Sequence, residues 1–483
     1  MGKSVSTQQS LEQLKAFYWK HMKEQLLPFW LERGIDEEFG GFFTCFDNSG
    51  STLVSTDKYT WSQGRMVWLL AKLSSMDGFA PEERDRLLAL SGEGARFMMR
   101  HAIMGDGCCT FVTDREGNAK RLSSDHDYAA SIYADCFVLL GLSRYARESG
   151  DAESLHAAKK LYASIRSRIA SGTYRTEPYP IPAGYRTHGI PMIMLNVSHE
   201  LAEALQAAEE AGIAEGGQEE CADGCCGNEA VSGGEVVSVG EASSGGNGDA
   251  LAIHAADIHA SEVREAARAY MMEIMDDFVT DDGTLLEMIP IGGSAGSVGE
   301  VIGGDSHSGE TLLDRYVNPG HTIEDMWFVM ELARQLGDDA TIRKAVRVLK
   351  RALELGWDVE YGGILLFVDR DGGQPKGSME GIADDAMAKK VSNDWGSKLW
   401  WPHSEALYST VLGYKLTGDE ELLVWYERVH AYTFRTFPNS DSSVGEWIQI
   451  RDREGNPQSK TVALPVKDPF HIIRNLIQLV EEL

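Results

Sequence analysis

The sequence predicts an all-α fold built from antiparallel helical hairpins, and two patterns in the chain support this prediction. In the first pattern, long segments with helical apolar spacing end at a Gly-Asp pair, after which another helix-like segment begins. Glycine favours the left-handed end of one helix and aspartate caps the start of the next, so each pair predicts a tight turn between two helices. The pairs are Gly150-Asp151, Gly337-Asp338 and Gly418-Asp419.

The second pattern is an internal repeat. A glutamate, an aromatic residue and two glycines occur at residues 38–41 and again at residues 360–363. Each copy precedes a segment expected to form a short β-hairpin, Phe42 to Leu53 and Ile364 to Pro375, and then an aromatic-rich helix start. If the hairpins wind into a ring, equivalent positions of both halves face one central cavity. The charged residues four positions after a tryptophan in the two copies are Arg65 and Glu405.

We expect a single domain over residues 1–483 with an insertion at residues 212–250. Helical periodicity stops there, and residues 232–248 are rich in Gly and Ser without any aromatic residue. Such a segment cannot bury enough apolar surface to offset the entropy lost on ordering, so it is predicted to be disordered. Its three cysteines, Cys221, Cys225 and Cys226, lack the second ligand pair that a zinc site requires.

Charge and apolar content exclude several kinds of partner. The chain contains 74 acidic and 45 basic residues, which gives a formal net charge of -29. This field repels nucleic-acid phosphates and anionic lipids. No apolar run is long enough to cross a bilayer, and the first ten residues lack the charged-then-apolar order of a signal peptide. We therefore expect a cytoplasmic protein with a small-molecule ligand and with no nucleic-acid or membrane partner.

Two histidines are the main candidates for chemistry. His321 follows the break at Pro319-Gly320, and His471 follows Asp468-Pro469, each at the edge of an apolar helical pattern. A side chain at such an edge can project into a cleft. An unperturbed imidazole has a pKa of about 6.5, so one ring can act as a base while another acts as an acid near neutral pH. The alternative for each residue is an ordinary hydrogen-bonded histidine at a helix end.

Six motifs follow one another in one order between Tyr59 and His471, within a resemblance that runs from about residue 10 to the C-terminus and leaves out only the Gly/Ser-rich insertion. They are Tyr59-x-Trp61-x-Gln63-Gly64-Arg65-x-x-Trp68, Asn196 in the segment from Pro191, Pro319-Gly320-His321-x-Ile323-Glu324, Trp400-Trp401-x-x-x-Glu405-Ala406-Leu407, Gly445-Glu446-Trp447 and Pro469-Phe470-His471. Together they resemble the N-acylglucosamine 2-epimerase family, which includes cellobiose 2-epimerases and related sugar isomerases. The resemblance implies an (α/α)6 toroid of helical hairpins, with short β-hairpins on one face and the active site in the central cavity.

The resemblance also implies roles for individual residues. His321 and His471 would exchange protons with the substrate, and Arg65 would hold the developing enediolate oxygens. The alternative for Arg65 is a salt bridge with Glu405, and the two roles are compatible. Glu324 lies one helical turn after His321, where it would orient that imidazole or bind a sugar hydroxyl; the alternative is an ordinary acidic residue at a helix start. The expected substrate-binding residues are Tyr59, Trp61, Asn196, Trp400, Trp401 and Glu405. As isolated residues, the tryptophans would more often belong to the core, and Asn196 would equally suit a helix cap.

One position departs from the family pattern. Asp468 stands where the family more often has glycine before Pro-Phe-His. A carboxylate three residues before His471 is expected to raise the pKa of that imidazole or to change the reach of the substrate.

The predicted function is 2-epimerisation of a reducing-end aldose through an enediolate, with N-acetylglucosamine and N-acetylmannosamine as the expected pair. No cofactor or metal is expected, because a pair of imidazoles needs no Lewis acid. Three alternatives stay open: aldose-ketose isomerisation of mannose-type sugars, glycoside hydrolysis by carboxylates such as Glu324, Glu405 or Glu446, and a binding protein without catalysis. A homodimer is compatible with a toroid that exposes its outer helices.

Overall fold

Helices dominate the computed structural model, which describes residues 2–212, 258–295, 310–460 and 464–483. Most of the expected insertion at residues 212–250, with its cysteines, lies outside the described residues. None of the helices in the described ranges is long and apolar enough to cross a membrane. The helices are α1 Gly2–His21, α2 Leu27–Arg33, α3 Thr60–Ser74, α4 Pro81–Phe97, α5 Ile132–Ser149, α6 Ala152–Ser171, α7 Gly189–Glu210, α8 Ala260–Glu273, α9 Leu312–Arg315, α10 Pro319–Leu336, α11 Asp339–Gly356, α12 Ala386–Asp394, α13 Trp400–Thr417, α14 Glu420–Thr436 and α15 Phe470–Glu482.

Among the described helices, a set of six forms a closed inner ring. Helices α3, α5, α7, α10, α13 and α15 each pack against the next one, and α15 returns to α3. Each inner helix also packs against a sequence-adjacent or terminal outer helix, namely α4, α6, α8, α11, α14 and α1. The inner helices are rich in fully buried residues, because they are covered on the outside by their partners. This arrangement is an (α/α)6 toroid, and the predicted fold class is confirmed.

The Gly-Asp pairs form the tight helix-to-helix turns that the sequence predicts. Gly150 ends α5 in the left-handed conformation, with a φ of 74°. The carboxylate of the next residue, Asp151, caps α6 by accepting the backbone N–H of Ser154 at 2.8 Å. The same pattern recurs at Gly337-Asp338 and Gly418-Asp419.

Short antiparallel strand pairs connect the loops from which the inner helices begin. They are β1 Lys58–Tyr59 with β2 Val112–Thr113, which also pairs with β3 Ala119–Lys120; β4 Tyr185–Thr187 with β5 Met288–Pro290; β6 Tyr316–Val317 with β7 Val368–Asp369; and β8 Lys398–Leu399 with β9 Ile450–Arg451. Several of these strands lead directly into an inner helix, so the pairing fixes where that helix starts.

The two predicted hairpins have different outcomes. In the first, Phe46 and Leu53 form an antiparallel bridge within residues 42–53, as predicted. The second prediction, strand pairing within residues 364–375, is wrong. Val368 of β7 pairs instead with Val317 of β6, which comes directly before α10. The internal repeat defines equivalent Gly-Gly turns, but the partner of the following strand depends on which loop lies beside it in space.

A close contact between α3 and α5 sets the position of one cavity residue. A Cβ atom on Gly64 would lie 2.0 Å from the carbonyl oxygen of Phe137, and one on Gly141 would lie 2.6 Å from the carbonyl oxygen of Gly64. Only residues without a side chain fit here. The approach brings the guanidinium carbon of Arg65 to 4.1 Å from the centre of the Phe137 ring.

We expect Gly64→Ala to lower the free energy of unfolding by about 3 kcal/mol, because the added methyl group has to push two helix backbones apart. Urea unfolding followed by circular dichroism measures this change. Gly105→Ala is the matched control, since a Cβ atom there meets nothing within 4 Å. Equal stability of the two variants would contradict the close contact.

Candidate active site

A cavity of about 300 Å³ lies where the six inner helices begin. Its lining includes a residue from the first turns of every inner helix: Trp61, Tyr133, Gly189, His321, Trp400 and His471. Each helix N-terminus carries a partial positive charge and unpaired N–H groups. The inner ring therefore directs six positive helix ends toward one cavity, which favours a ligand that is or becomes anionic.

The cavity brings together most of the residues that the sequence singled out. Those in its lining are Arg65, Trp61, Asn196, His321, Glu324, Trp400, Trp401 and His471. Tyr59 and Glu405 are not part of the lining. Tyr59 packs edge-on against Phe111 at 6.0 Å between ring centres, and its predicted contact with substrate stays a prediction.

Trp401 lies between the two candidate histidines. The centre of its ring system is 5.5 Å from that of His321 and 5.4 Å from that of His471, with interplanar angles of 36° and 39°. One indole thus contacts both imidazoles from neighbouring positions on the cavity wall. Residues that are 150 positions apart in the chain therefore face the same small space.

His321 is held by a carboxylate that the sequence analysis did not identify. Its Nδ1 lies 3.0 Å from Oε2 of Glu287, and its backbone N–H donates to the side chain of Asn318 at the start of α10. A proton on Nδ1 donates to Glu287 and leaves Nε2 available to the cavity. The predicted role of Glu324 in orienting His321 is therefore filled by Glu287.

Glu287 belongs to a buried row of titratable groups. His188 Nδ1 lies 3.8 Å from Oε1 of Glu287, and His188 Nε2 lies 2.8 Å from Oδ2 of Asp325. Burial raises the pKa of Glu287, but the imidazoles of His321 and His188 outweigh it and lower the pKa to about 2. Burial lowers the pKa of His188, yet Asp325 and Glu287 raise it to about 9. At neutral pH, His188 is thus a cation between two carboxylates.

His471 lies in a different electrostatic environment. Its Nδ1 is 2.6 Å from Oε1 of Glu405 and 3.6 Å from Oε1 of Glu324. The guanidinium of Arg474 donates to both of these carboxylates, at 2.7 Å to Glu405. Burial lowers the pKa of His471 well below its usual value; Glu324 opposes the shift, and Arg65 and Arg474 add to it. His471 is therefore a neutral imidazole at pH 7.

Arg65 pairs with a different carboxylate from the one expected. Its guanidinium donates to Asp468. The alternative prediction, a salt bridge between Arg65 and Glu405, is wrong. Asp468 also accepts the backbone N–H of Phe470 at 2.8 Å. Burial lowers the pKa of Arg65 to about 9, which still leaves it charged at neutral pH. Because Asp468 is engaged by Arg65, it does not raise the pKa of His471, and that expectation is wrong.

Several donors at the cavity have no hydrogen-bond partner among the described residues. They are Nε1 of Trp61, Nε1 of Trp400, Oγ of Ser62 and Nε of Arg65. All four atoms are themselves buried, three of them on α3 and the fourth on α13, although most buried polar atoms in folded proteins have a partner. The flat faces of the lining tryptophans suit the apolar side of a sugar ring.

Glu405 lies behind the cavity wall. It is fully buried, and its second oxygen accepts the indole N–H of Trp327 at 2.7 Å. Its position supports His471, so the prediction that it contacts substrate has no support here. Sequence reasoning also missed Arg474, although its spacing of three residues after His471 places both on one helical face. Glu287 and His188 carried no local signal.

Two described clusters have the composition of a metal site. His188, Glu287 and His321 form one, and Glu324, Glu405 and His471 form the other, each with its candidate atoms within 4.8 Å of one another. In the second cluster Arg474 donates to both carboxylates, and a guanidinium at that position repels a metal ion. In the first, both histidines are already held by carboxylates. That the protein needs no metal stays a prediction.

Comparison with known proteins identifies one family. The model of the family described as N-acylglucosamine 2-epimerase (GlcNAc 2-epimerase) matches residues 41–209 and 301–474. The N-acylglucosamine 2-epimerase of Bos taurus is 29% identical over 467 residues, which cover 95% of this chain and 89% of the bovine protein. The Homo sapiens protein of the same name is 27% identical and is covered over 95% of its length, with 100% of this chain aligned.

Solved structures agree with this fold. The structure of cellobiose 2-epimerase from Bacillus thermoamylovorans B4167 superposes with a TM-score of 0.66 at 15% identity, covering 98% of this chain and all of that chain. At this identity, the likeness supports the toroid and does not identify a substrate.

The charge of Glu287 predicts a specific dependence of stability on pH. Its folded pKa of about 2 lies below the ordinary value of 4.5, so the ionised carboxylate stabilises the fold above pH 4.5 and this contribution is lost as the pH falls toward 2. The full shift corresponds to at most about 3 kcal/mol. We expect the stability difference between wild type and Glu287→Gln to shrink between pH 5 and pH 3 in urea unfolding. A difference that does not change with pH would show that Glu287 is not ionised in this way.

Proposed function

The chain belongs to the N-acylglucosamine 2-epimerase family, and from that premise we propose that it is an isomerase that interconverts the C2 epimers of a reducing-end aldose. The substrate pair that we propose is N-acetylglucosamine and N-acetylmannosamine, which the names of the mammalian relatives support. The observation that carries the proposal is the pair of imidazoles, His321 and His471, on either side of Trp401 in one cavity.

The reaction begins with removal of the proton at C2 of the open-chain sugar. His471 suits this step because it is neutral at pH 7 and its Nδ1 is occupied by Glu405, which leaves Nε2 to accept the proton. The electron pair of the broken C–H bond moves into the C1–C2 bond, and the carbonyl electrons move to the oxygen. The product of this step is an enolate with its negative charge on the C1 oxygen, and the proton is on His471; with a sugar that carries a hydroxyl group at C2, the same step gives an enediolate.

The enolate is stabilised by positive charge that is already in place. Arg65 is a buried cation in the cavity lining, and the N-termini of six helices surround the same space. Fixed charges and dipoles in a largely dry site stabilise a developing anion without reorganisation, which is usually the largest contribution to catalysis. The aromatic contacts around Arg65 keep water from screening its charge.

The second step returns a proton to the opposite face of C2. For this step His321 starts as the imidazolium, with one proton on Nδ1 held by Glu287 and the other on Nε2. Nε2 delivers its proton to C2, the electron pair of the C1–C2 double bond forms the new C–H bond, the carbonyl reforms, and His321 is left neutral. The configuration at C2 is then inverted. In the reverse direction the two histidines exchange roles, and proton exchange with water restores their starting states.

Glycoside hydrolysis fits this geometry less well. Hydrolysis requires two carboxylates on either side of a glycosidic bond. Glu324 and Glu405 both lie on the same side of His471 and share the guanidinium of Arg474. Glu446 is fully buried, outside the cavity lining, and accepts the indole N–H of Trp30. The carboxylates named by the sequence analysis are thus committed to protein contacts.

Incubation with N-acetylglucosamine in deuterated water tests the proposed reaction. We expect N-acetylmannosamine with deuterium at C2, because the proton that His321 delivers comes from the solvent and not from the substrate, and NMR detects both the product and the label. Mannose and cellobiose serve as comparison substrates. A ketose product would indicate aldose-ketose isomerisation. If none of these sugars exchanges its C2 proton, the proposal is contradicted.

Single histidine variants test the two-base mechanism. We expect His321→Asn and His471→Asn each to lower kcat for epimerisation by about 10²- to 10⁴-fold, the usual contribution of a general acid or base. In each variant the remaining histidine should still remove the C2 proton of one epimer and exchange it with solvent. The epimer that exchanges should differ between the two variants. His126→Asn is the control, because His126 does not line the cavity.

Loss of exchange from both epimers in either variant would contradict a base on each face. Full epimerase activity in either variant would remove that histidine from the mechanism.

A further inference from the structure

We propose that His188 and Asp325 are positioning residues, which hold Glu287 in the orientation that fixes His321 for proton transfer. This inference rests on the proposed function of His321 and adds two residues that none of its steps uses. Neither residue lines the cavity, and both are fully buried.

The four groups form a row from the protein interior to the cavity. Asp325 Oδ2 accepts the Nε2–H of His188 at 2.8 Å, and Nδ1 of His188 lies 3.8 Å from Oε1 of Glu287. The other oxygen of Glu287 lies 3.0 Å from Nδ1 of His321. The contacts at the two ends of the row are hydrogen bonds, whereas His188 and Glu287 form an ion pair without a side-chain hydrogen bond. The charge of His188 thus faces Oε1 of Glu287, and Oε2 is left to His321.

Glu287 depends on His188 because a buried carboxylate requires positive charge nearby. Among the described residues, its ion pairs are with His188 and His321. His321 has to release and regain a proton during the proposed reaction, so it cannot be the constant counter-ion. His188 can, because Asp325 on its far side keeps it protonated.

Three different parts of the chain supply this row. His188 stands at the start of α7, and its backbone N–H donates to the carbonyl oxygen of Glu287 at 3.0 Å. Asp325 and His321 lie on α10, one helical turn apart. The charged and titratable groups around His188 are Glu287 and Asp325, Glu324 adds its charge near Asp325, and the ring of Phe278 packs against the imidazole. The row thus ties α7 to α10 at the cavity wall.

A purely structural ion pair between α7 and α10 is the competing explanation. It predicts that removing the pair lowers stability without altering chemistry. A positioning role predicts a loss in kcat with little change in KM, since substrate contacts remain while the orientation of His321 is lost. The two explanations are therefore separable by experiment.

The test variant is His188→Gln combined with Asp325→Asn, which removes both charges but keeps the size and hydrogen-bonding capacity of both side chains. We expect kcat to fall by about 10- to 100-fold, because a catalytic group displaced by about 1 Å loses rate on this scale. KM should stay within about threefold of the wild-type value. Val329→Ala, a truncation of a fully buried residue on the same helix, is the stability control. It lowers the melting temperature and is expected to leave kcat unchanged.

A measurement that does not need turnover accompanies the kinetics. In ¹⁵N-histidine-labelled wild type, neutral His321 should carry its proton on Nδ1, and in the double variant both tautomers should be populated. If wild type turns over no sugar, the proposed function fails, and this spectrum still decides the positioning role. An unchanged tautomer, a kcat within twofold of wild type, or an equal loss of kcat in Val329→Ala would overturn the inference.

Discussion

A single buried guanidinium, that of Arg474, joins three helices of the inner ring beneath the reacting groups. It extends from α15 to Glu324 on α10 and to Glu405 on α13, and those carboxylates surround His471. Removing the guanidinium would leave both buried carboxylates without their arginine partner, which is costly. The last helix of the chain is thereby held in the ring, and with it His471 and the Asp468 that binds Arg65.

The site is asymmetric, although it holds two identical side chains. His471 is buried between two arginines and stays neutral, whereas His321 is partly exposed and is held by a buried carboxylate. The same imidazole chemistry is thus placed in two electrostatic settings around one cavity. Both settings lie at helix N-termini, so the site is biased toward anionic intermediates before substrate arrives.

The fold could be predicted from the sequence because its turns have strong local chemistry. The Gly-Asp pairs identify the helix ends without any knowledge of the tertiary structure, and the structure confirms them. The cavity residues on helix starts, such as His321, Trp401 and His471, were identifiable for the same reason. Arg474 was also within reach, since it lies on the same helical face as His471.

The partners of these residues could not be predicted in the same way. Whether Arg65 binds Glu405 or Asp468 depends on how α15 closes against α3, and the sequence carries no information on that distance. Glu287 follows a long insertion and is not part of any motif, and its role emerges only when β5 pairs with β4 beside α10. Contacts between distant loops therefore determine the electrostatics of the site, while local sequence determines its location.

In the proposed mechanism two imidazoles act on one carbon from opposite sides. A crystal structure of the protein with the open-chain alditol of N-acetylglucosamine, which mimics the reacting form but lacks the carbonyl group, shows where the two rings lie relative to that carbon. We expect Nε2 of His321 and Nε2 of His471 on opposite faces of C2, each within about 3.5 Å, the reach of a near-attack geometry. Both nitrogens on one face of C2, or either ring directed away from it, would rule out proton transfer by two bases.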